Sequence, residues 1–288
     1  MAGSGPSSRR GGTTLRSDSG VPRALTIAGS DSGGGAGIQA DLKTFAMLGV
    51  WGTSSVTSIT VQNTQGVTGV DDVPAEVVGA QIRAVAGDIG VDAAKTGMLS
   101  SKEIIEAVAA AIEEYGLPNL VVDPVFMSKH GHLLLRPDAV DALRSRIIPL
   151  ATLVTPNLPE AGGLAGFEVE TKDDMAKAAA AILELGAGAV LVKGGHLEDA
   201  GADDLFADET HDEWLTTDRV ETAHTHGTGC VLSAAITAHL ARGADLQEAA
   251  RKGKDFVTEA IRHALVLGGG IGPVNPAWQL QEEGRGEG

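Results

Sequence analysis

Two segments concentrate residues suited to holding an anion and moving a proton. His226-Gly-Thr-Gly-Cys230 runs into an apolar stretch, Val231 to Leu240, that reads as a helix. Glycines ahead of a helix N-terminus turn backbone N–H groups toward an anion, which makes Gly227, Thr228 and Gly229 candidates for a cradle. A thiol at the same N-terminus is expected to have a depressed pKa, because the macrodipole favours the thiolate. Cys230 is therefore a candidate base, and a base beside an anion pocket is what phosphoryl transfer to a hydroxyl needs. The competing reading is a buried structural cysteine. The second segment is Gly29-Ser-Asp-Ser-Gly-Gly-Gly-Ala-Gly37, between a strand-like and a helix-like stretch. Its glycines let backbone approach a ligand closely, or make a plain turn. On the helix that follows, Ile38, Leu42, Phe45 and Gly49 form one stripe with Asp41 at its flank. A carboxylate there either meets a partner or angles to solvent.

Three further segments carry weaker signals. In Val61-Gln-Asn-Thr-Gln-Gly66, the Gln62 and Asn63 amides can each offer donor and acceptor to a polar heterocycle, or simply form a turn. In Thr155-Pro-Asn-Leu-Pro-Glu160, Asn157 and Glu160 have the spacing of a capping box. The functional alternative puts both near a hydrated Mg²⁺. Lys193, in Val192-Lys-Gly-Gly-His196, stands at a strand end where it can meet a phosphate or sit solvated in a turn. His224 with His226, and His130 with His132, are each two apart without a third ligand at clear spacing, so no metal site is expected from them.

The elements that must position these residues alternate. Strand-like runs at 24–28, 56–61, 93–96, 120–123, 153–155 and 189–193 are mostly separated by helical patterns at 37–48, 75–85, 102–115, 137–147 and 173–185. That order predicts an α/β fold with a doubly wound, mainly parallel sheet, whose ligands gather where strands end and helices begin. A hairpin-like polar segment (203–221) and two long helices (230–241, 246–265) follow. One domain over 24–275 is expected, between a Gly/Ser/Thr-rich N-terminal tail (1–23) and a polar C-terminal tail (276–288). Neither G-x-x-x-x-G-K-[ST] nor a G-x-G-x-x-G after the first strand occurs, which disfavours a P-loop or standard dinucleotide fold.

Composition bounds the rest. The 288 residues include 22 Lys plus Arg against 38 Asp plus Glu, a formal charge of −16. That balance argues against a nucleic-acid or anionic-membrane surface. The tail to Arg23 carries Arg9, Arg10, Arg16 and Arg23 against Asp18, so the remainder is more acidic than the total. At 43% hydrophobic the chain can bury a sizeable core. One cysteine excludes an internal disulfide and suits a reducing cytoplasm. The uncharged run 44–70 is too polar to span a bilayer.

Taken in order, the segments resemble the hydroxymethylpyrimidine/phosphomethylpyrimidine kinases of thiamine synthesis, in the ribokinase-like superfamily. The resemblance runs from about Ala24 to Pro273. It rests on Ala24-Leu-Thr-Ile-Ala-Gly-Ser-Asp31, Gly33-Gly-Gly-Ala-Gly-Ile-Gln-Ala-Asp-Leu-Lys-Thr-Phe45, Gln62-Asn-Thr-Gln-Gly66, Lys95-Thr-Gly-Met-Leu99, Asp123-Pro-Val125, Thr155-Pro-Asn-Leu-Pro-Glu-Ala161, Lys193-Gly-Gly-His196 and His226-Gly-Thr-Gly-Cys230. It implies a three-layer α/β/α fold. It also implies a pyrimidine under the Gly29 loop, with Asp41 and Gln62 at its polar edge and Met98 and Val125 against the ring. ATP would lie across the sheet edge near Lys193, Asn157 and Thr155, with Asp123 and Glu160 holding Mg²⁺. The N–H groups of 227–230 would stabilise the transferring phosphoryl group, Cys230 would take the hydroxymethyl proton, and the enzyme would be a cytoplasmic homodimer. The chain departs from many members at Ser32, where they have Pro, and at His130-Gly-His132, where they have Ser-Gly-Asp. The rivals are a pyridoxal or pyridoxine kinase with the same Gly-Thr-Gly-Cys, an ADP-dependent dehydratase of hydrated nicotinamide nucleotides, expected to carry Asp in place of Cys230, and a nucleotide-binding regulator without catalysis, which has no need of Cys230.

Overall fold

A computed structural model describes residues 20–128, 131–195 and 201–283. Alternation of side chains along the strands builds it. Leu25, Ile27, Leu120, Val122, Val190 and Val192 enter one core, while Ala93, Val121, Leu153, Ala189 and Leu191 enter another on the opposite face. A sheet apolar on both faces must be covered on both. Six parallel strands form its centre: β1 (Arg23–Asp31), β2 (Trp51–Asn63), β4 (Ala93–Thr96), β5 (Leu120–Val122), β6 (Leu153–Val154) and β7 (Ala189–Lys193). β3 (Gly66–Asp72) flanks β2 antiparallel, and β8 (Asp204–Asp208) and β9 (Asp212–Leu215) continue antiparallel from β7. The order is β3-β2-β1-β4-β5-β6-β7-β8-β9. The strand order therefore reverses beside β1, where such sheets open a crevice at their carboxyl ends.

The core on one face packs under α2 (Ala75–Ala84), α3 (Lys102–Tyr115), the short α4 (Val140–Ala142), α5 (Leu158–Ala165) and α6 (Lys172–Glu184). The opposite face is covered by α1 (Gly37–Met47), α7 (Thr228–Ala241) and α8 (Leu246–Arg262). This is the expected three-layer α/β/α arrangement. α7 is buried almost all round, from Val231 to Ala238, as its unbroken apolar sequence requires. Among the described residues, no helix is long and apolar enough to cross a membrane.

Four elements differ from expectation. β2 starts at Trp51, five residues before the apolar run. After the exposed Trp51 its residues to 55 are small, and at Gly52 this is because α1 lies on the strand: a β-carbon there would come within 2.8 Å of Leu42 Cδ2. β3 was hidden because Gly66-Val-Thr-Gly-Val-Asp72 is an edge strand with half-exposed or exposed residues throughout and no buried alternation. The single helix expected over 137–147 is a series of tight and wide turns around α4, running to 150. The C-terminal segment expected as a polar tail includes α9 (Trp278–Glu283), whose Trp278 ring stacks on His263 at 5.5 Å. Most of the N-terminal tail, together with His130 and His196, lies outside the described residues.

α8 approaches α7 closely at Gly253, where a β-carbon would lie 2.5 Å from Ile236 Cγ1 and 3.3 Å from its backbone nitrogen. Overpacking of this kind is destabilising. Gly253→Val is expected to lower unfolding free energy by about 2 kcal/mol, read as a lower urea midpoint at unchanged slope.

Candidate active site

One cleft of about 1820 Å³ follows the carboxyl ends of the parallel strands. Gly29 and Asp31 reach it from β1, Thr60 and Gln62 from β2, Lys95 to Met98 from β4 and its loop, Asp123 and Val125 from beyond β5, and Lys193 from β7. The start of α7 closes it with Gly227, Thr228, Gly229 and Cys230.

The Gly-rich loop after β1 is a fixed structure. Asp31 Oδ1 accepts the Gly33 N–H at 2.8 Å, and Oδ2 accepts those of Gly35 and Ala36 at 3.0 and 2.8 Å. The same Oδ2 lies 2.9 Å from His226 Nε2. Burial pushes the Asp31 carboxyl up, but the His226 bond and the backbone donors outweigh it and hold the group below its usual value. Gly227 caps α7 at φ +82°, and a β-carbon on it would fall 1.9 Å from the Gly35 carbonyl oxygen. The two glycine loops thus touch backbone to backbone, which only glycine permits.

Behind that junction lies a buried ion pair. Lys95 Nζ is 3.1 Å from both Asp41 oxygens, and Thr26 donates to Asp41 Oδ2 at 2.6 Å. Both side chains of the pair are fully buried. Burial raises the Asp41 carboxyl; it also works against the Lys95 charge, but Asp41, Cys230 and Asp123 together keep that ammonium protonated. Asp41 was expected at the substrate's polar edge. It instead stands behind the wall, and Lys95 is the member of the pair that lines the cleft. The helical stripe located Asp41 at the buried face, but its partner lies 54 residues away and no local pattern marks it.

A second cluster surrounds Lys193. Its ammonium donates to Asp123 Oδ1 at 3.0 Å and lies 3.8 Å from Glu160 Oε2. Burial opposes the lysine's charge, yet Asp123 and Glu160 raise its pKa above the usual value. Burial, reinforced by Asp123 against the pull of Lys193, pushes the Glu160 carboxyl up to about 7. Asn157 and Glu160 do form the capping box: Asn157 Oδ1 accepts the Glu160 N–H at 2.9 Å, and Glu160 Oε2 accepts the Asn157 N–H at 2.8 Å. Both residues nevertheless line the cleft, so the cap and the cluster are one structure. Thr155, expected near ATP, is fully buried, donates its hydroxyl to Asp123 Oδ1 at 3.4 Å and does not itself line the cleft.

Cys230 is half-buried at the first turn of α7. The expected depression of its pKa does not hold. Burial pushes the thiol up to about 12, Asp41 and Asp123 add to that, and Lys95 with the Gly37 N–H only partly offsets it. The helix end is outweighed by burial and by two carboxylates that come from elsewhere in the chain, Asp41 on α1 and Asp123 beyond β5. Gly29, Gln62, Met98 and Val125 all line the cleft, as expected. Of the histidine pairs, His224 Nδ1 accepts from the Gly272 N–H, while His226 turns to Asp31.

An anion cradle and a lysine–carboxylate cluster on the crevice of an open parallel sheet are the layout of a small-molecule kinase. The family model described as phosphomethylpyrimidine kinase matches residues 31–275, and the chain belongs to that family. It is 50% identical over 261 residues to the hydroxymethylpyrimidine/phosphomethylpyrimidine kinase of Streptomyces coelicolor, covering 91% of this chain and 96% of that one. Among solved structures, it is similar to the pyridoxal kinase of Bacillus subtilis in its ADP complex, with a TM-score of 0.85, 44% identity, and coverage of 90% and 99%. It is also similar to the phosphomethylpyrimidine kinase of Clostridium difficile, with a TM-score of 0.74, 45% identity, and coverage of 83% and 99%.

Glu160 yields a pH test. The folded state retains a proton between the ordinary carboxyl value of 4.5 and about 7 that the unfolded chain releases. Stability from this group is therefore present below 4.5 and is lost as pH rises through that window. Glu160→Gln should unfold with a flatter dependence across it, measured by urea midpoints on either side.

Proposed function

We propose that the protein is an ATP-dependent kinase that phosphorylates 4-amino-5-hydroxymethyl-2-methylpyrimidine, and then its monophosphate, in cytoplasmic thiamine synthesis. The observation that carries this reading is the meeting of the two glycine loops. It sets the Gly29–Gln62 wall, with Met98 and Val125, beside the α7 N-terminus and Cys230 in one cleft. A ring bearing a hydroxymethyl group fits that wall, and its hydroxyl then faces the N–H groups where a phosphoryl group would arrive. The ADP complex of the similar pyridoxal kinase supports a nucleotide in the rest of the cleft.

The residues divide the chemistry. Gln62 offers an amide to the polar edge of the ring, and Met98 and Val125 cover its faces. Lys193 contributes a positive charge to the phosphates. The N–H groups of Gly227 to Cys230 meet the charge of the transferring group, and each such donor is worth about 3 kcal/mol of barrier. Cys230 receives the hydroxyl proton as the O–P bond forms. Because burial holds its thiol protonated, Lys95 and the Gly37 N–H are the groups that make a thiolate attainable. Lys95, anchored on Asp41, is thus the positioning charge of the base.

The donor set also suits magnesium. Asp123 and Glu160 share a single ammonium, leaving one excess negative charge when all three are ionised, and the Glu160 carboxyl, raised first by burial, is raised further by Asp123. Mg²⁺ is held by one or two carboxylates with phosphate oxygens and water, and this pair fits it. When bound it would neutralise phosphate charge.

A coupled ADP-release assay on hydroxymethylpyrimidine, its monophosphate and pyridoxal tests the reading. Turnover of both pyrimidines is expected, and a clear preference for pyridoxal would overturn it in favour of the B6 kinase. Cys230→Ala should lower kcat by about 10²–10⁴ with nucleotide affinity unchanged. Wild-type turnover by that variant would remove Cys230 from the mechanism. Light scattering should give twice the 29.3 kDa chain mass for the expected homodimer.

A further inference from the structure

Asp31 and His226 are 195 residues apart in sequence, both are almost wholly buried, and both line the cleft. Asp31 organises the loop that would lie over the ring. His226 immediately precedes the glycine that caps α7.

His226 is held at both ends. Its N–H donates to Gly272 O at 3.1 Å, and its carbonyl accepts from Val274 at 3.0 Å. Its ring edge packs against the other loop, since a β-carbon on Gly35 would come within 2.5 Å of His226 Cδ2. Any side chain at position 35 would therefore collide with the ring. Asp31 is equally committed, because its two oxygens already take three backbone N–H groups. A carboxylate held below its usual value accepts only, so His226 Nε2 carries the proton and donates to it.

That assignment reaches Gln62. Its amide nitrogen lies 3.3 Å from His226 Nε2, and its oxygen lies 3.1 Å from Thr60 Oγ1. Two facing N–H groups repel. Turning the amide half a turn lets its C=O share, at the longer distance, the single Nε2–H that Asp31 accepts, and brings its NH₂ to Thr60 Oγ1, whose own proton goes to Ser30 O at 2.9 Å. The group that Gln62 presents to a ring edge is thus tied to the donor on His226, and through Asp31 to both glycine loops.

We propose that the Asp31–His226 pair is a positioning latch that couples occupation of the pyrimidine wall, through Gln62, to the shape of the anion cradle at Gly227. This rests on the kinase reading and adds to it that the two half-sites are energetically linked through a histidine that touches no reacting atom. Linkage of this kind is reciprocal: whatever factor nucleotide adds to pyrimidine affinity, pyrimidine adds to nucleotide affinity.

Calorimetric titration of hydroxymethylpyrimidine, with and without a non-hydrolysable ATP analogue, measures that factor. In the wild type the analogue should tighten pyrimidine binding by about fivefold or more. His226→Phe keeps the ring and removes the donor, and should bring the factor close to one; the factor is a ratio, so it reads the coupling whatever the variant does to the affinity for either ligand alone. His226→Gln extends an amide N–H to a similar reach and should restore the coupling. A wild type without coupling, a Phe variant coupled like wild type, or a Gln variant as uncoupled as Phe would each overturn the latch. If the Phe variant does not fold, Asp31→Asn, which withdraws the carboxylate from the pair, carries the same comparison. Wild-type protein that turns over no hydroxymethylpyrimidine would instead defeat the kinase reading, whereas turnover without coupling defeats only the latch.

Discussion

Lys95 and Lys193 stand at the ends of two parallel strands, inside a protein whose net charge is −16. An acidic chain that handles phosphates gains little from long-range attraction, so its cations must be local. Local here means buried, and a buried ammonium stays charged only beside a carboxylate. Asp41 does this for Lys95, and Asp123 with Glu160 does it for Lys193. The surrounding elements follow from that requirement. α1 must bring Asp41 over the end of β4, the chain beyond β5 must set Asp123 opposite β7, and α5 must start where its capping glutamate reaches the same lysine. The capping box at Asn157 therefore serves two ends at once: it terminates a helix and delivers a carboxylate.

The same requirement explains which parts could be read in advance. The central strands and long helices were legible because sheet residues alternate between two cores and helix stripes repeat at a fixed spacing. The glycine loops were legible because phosphate-like anions need close backbone approach, and few residue types allow it. β3 and the first turn of β2 were not, since their residues are chosen by an edge and by the overlying α1 rather than by a core. At the site, Cys230, Gln62 and Lys193 could be named from local motifs, and Met98 only through the family resemblance. Lys95 as the partner of Asp41, and His226 as the partner of Asp31, could not. Each pairing joins segments 54 or 195 residues apart, and one sequence carries no record of who meets whom.

The thiol shows what such missing partners change. A local view of Cys230 sees a helix N-terminus and expects a thiolate. The folded view adds Asp41 and Asp123, and with burial they drive the pKa in the other direction, up to about 12. A base of that kind is poor at rest, and this has a consequence for specificity. A standing thiolate in a cleft with bound nucleotide would be a nucleophile waiting for any electrophile, including the phosphoryl group itself. Only the thiolate form can take the alcohol's proton, and a thiol raised to about 12 offers little of it at rest, so the neighbouring Lys95 ammonium is what enlarges that fraction. Lys95 can supply that cation without leaving its partner, because one ammonium offers three donors and Asp41 occupies one side of it. The carboxylates that seem to oppose catalysis by raising the thiol are then the reason that the lysine beside it exists as an ammonium at all.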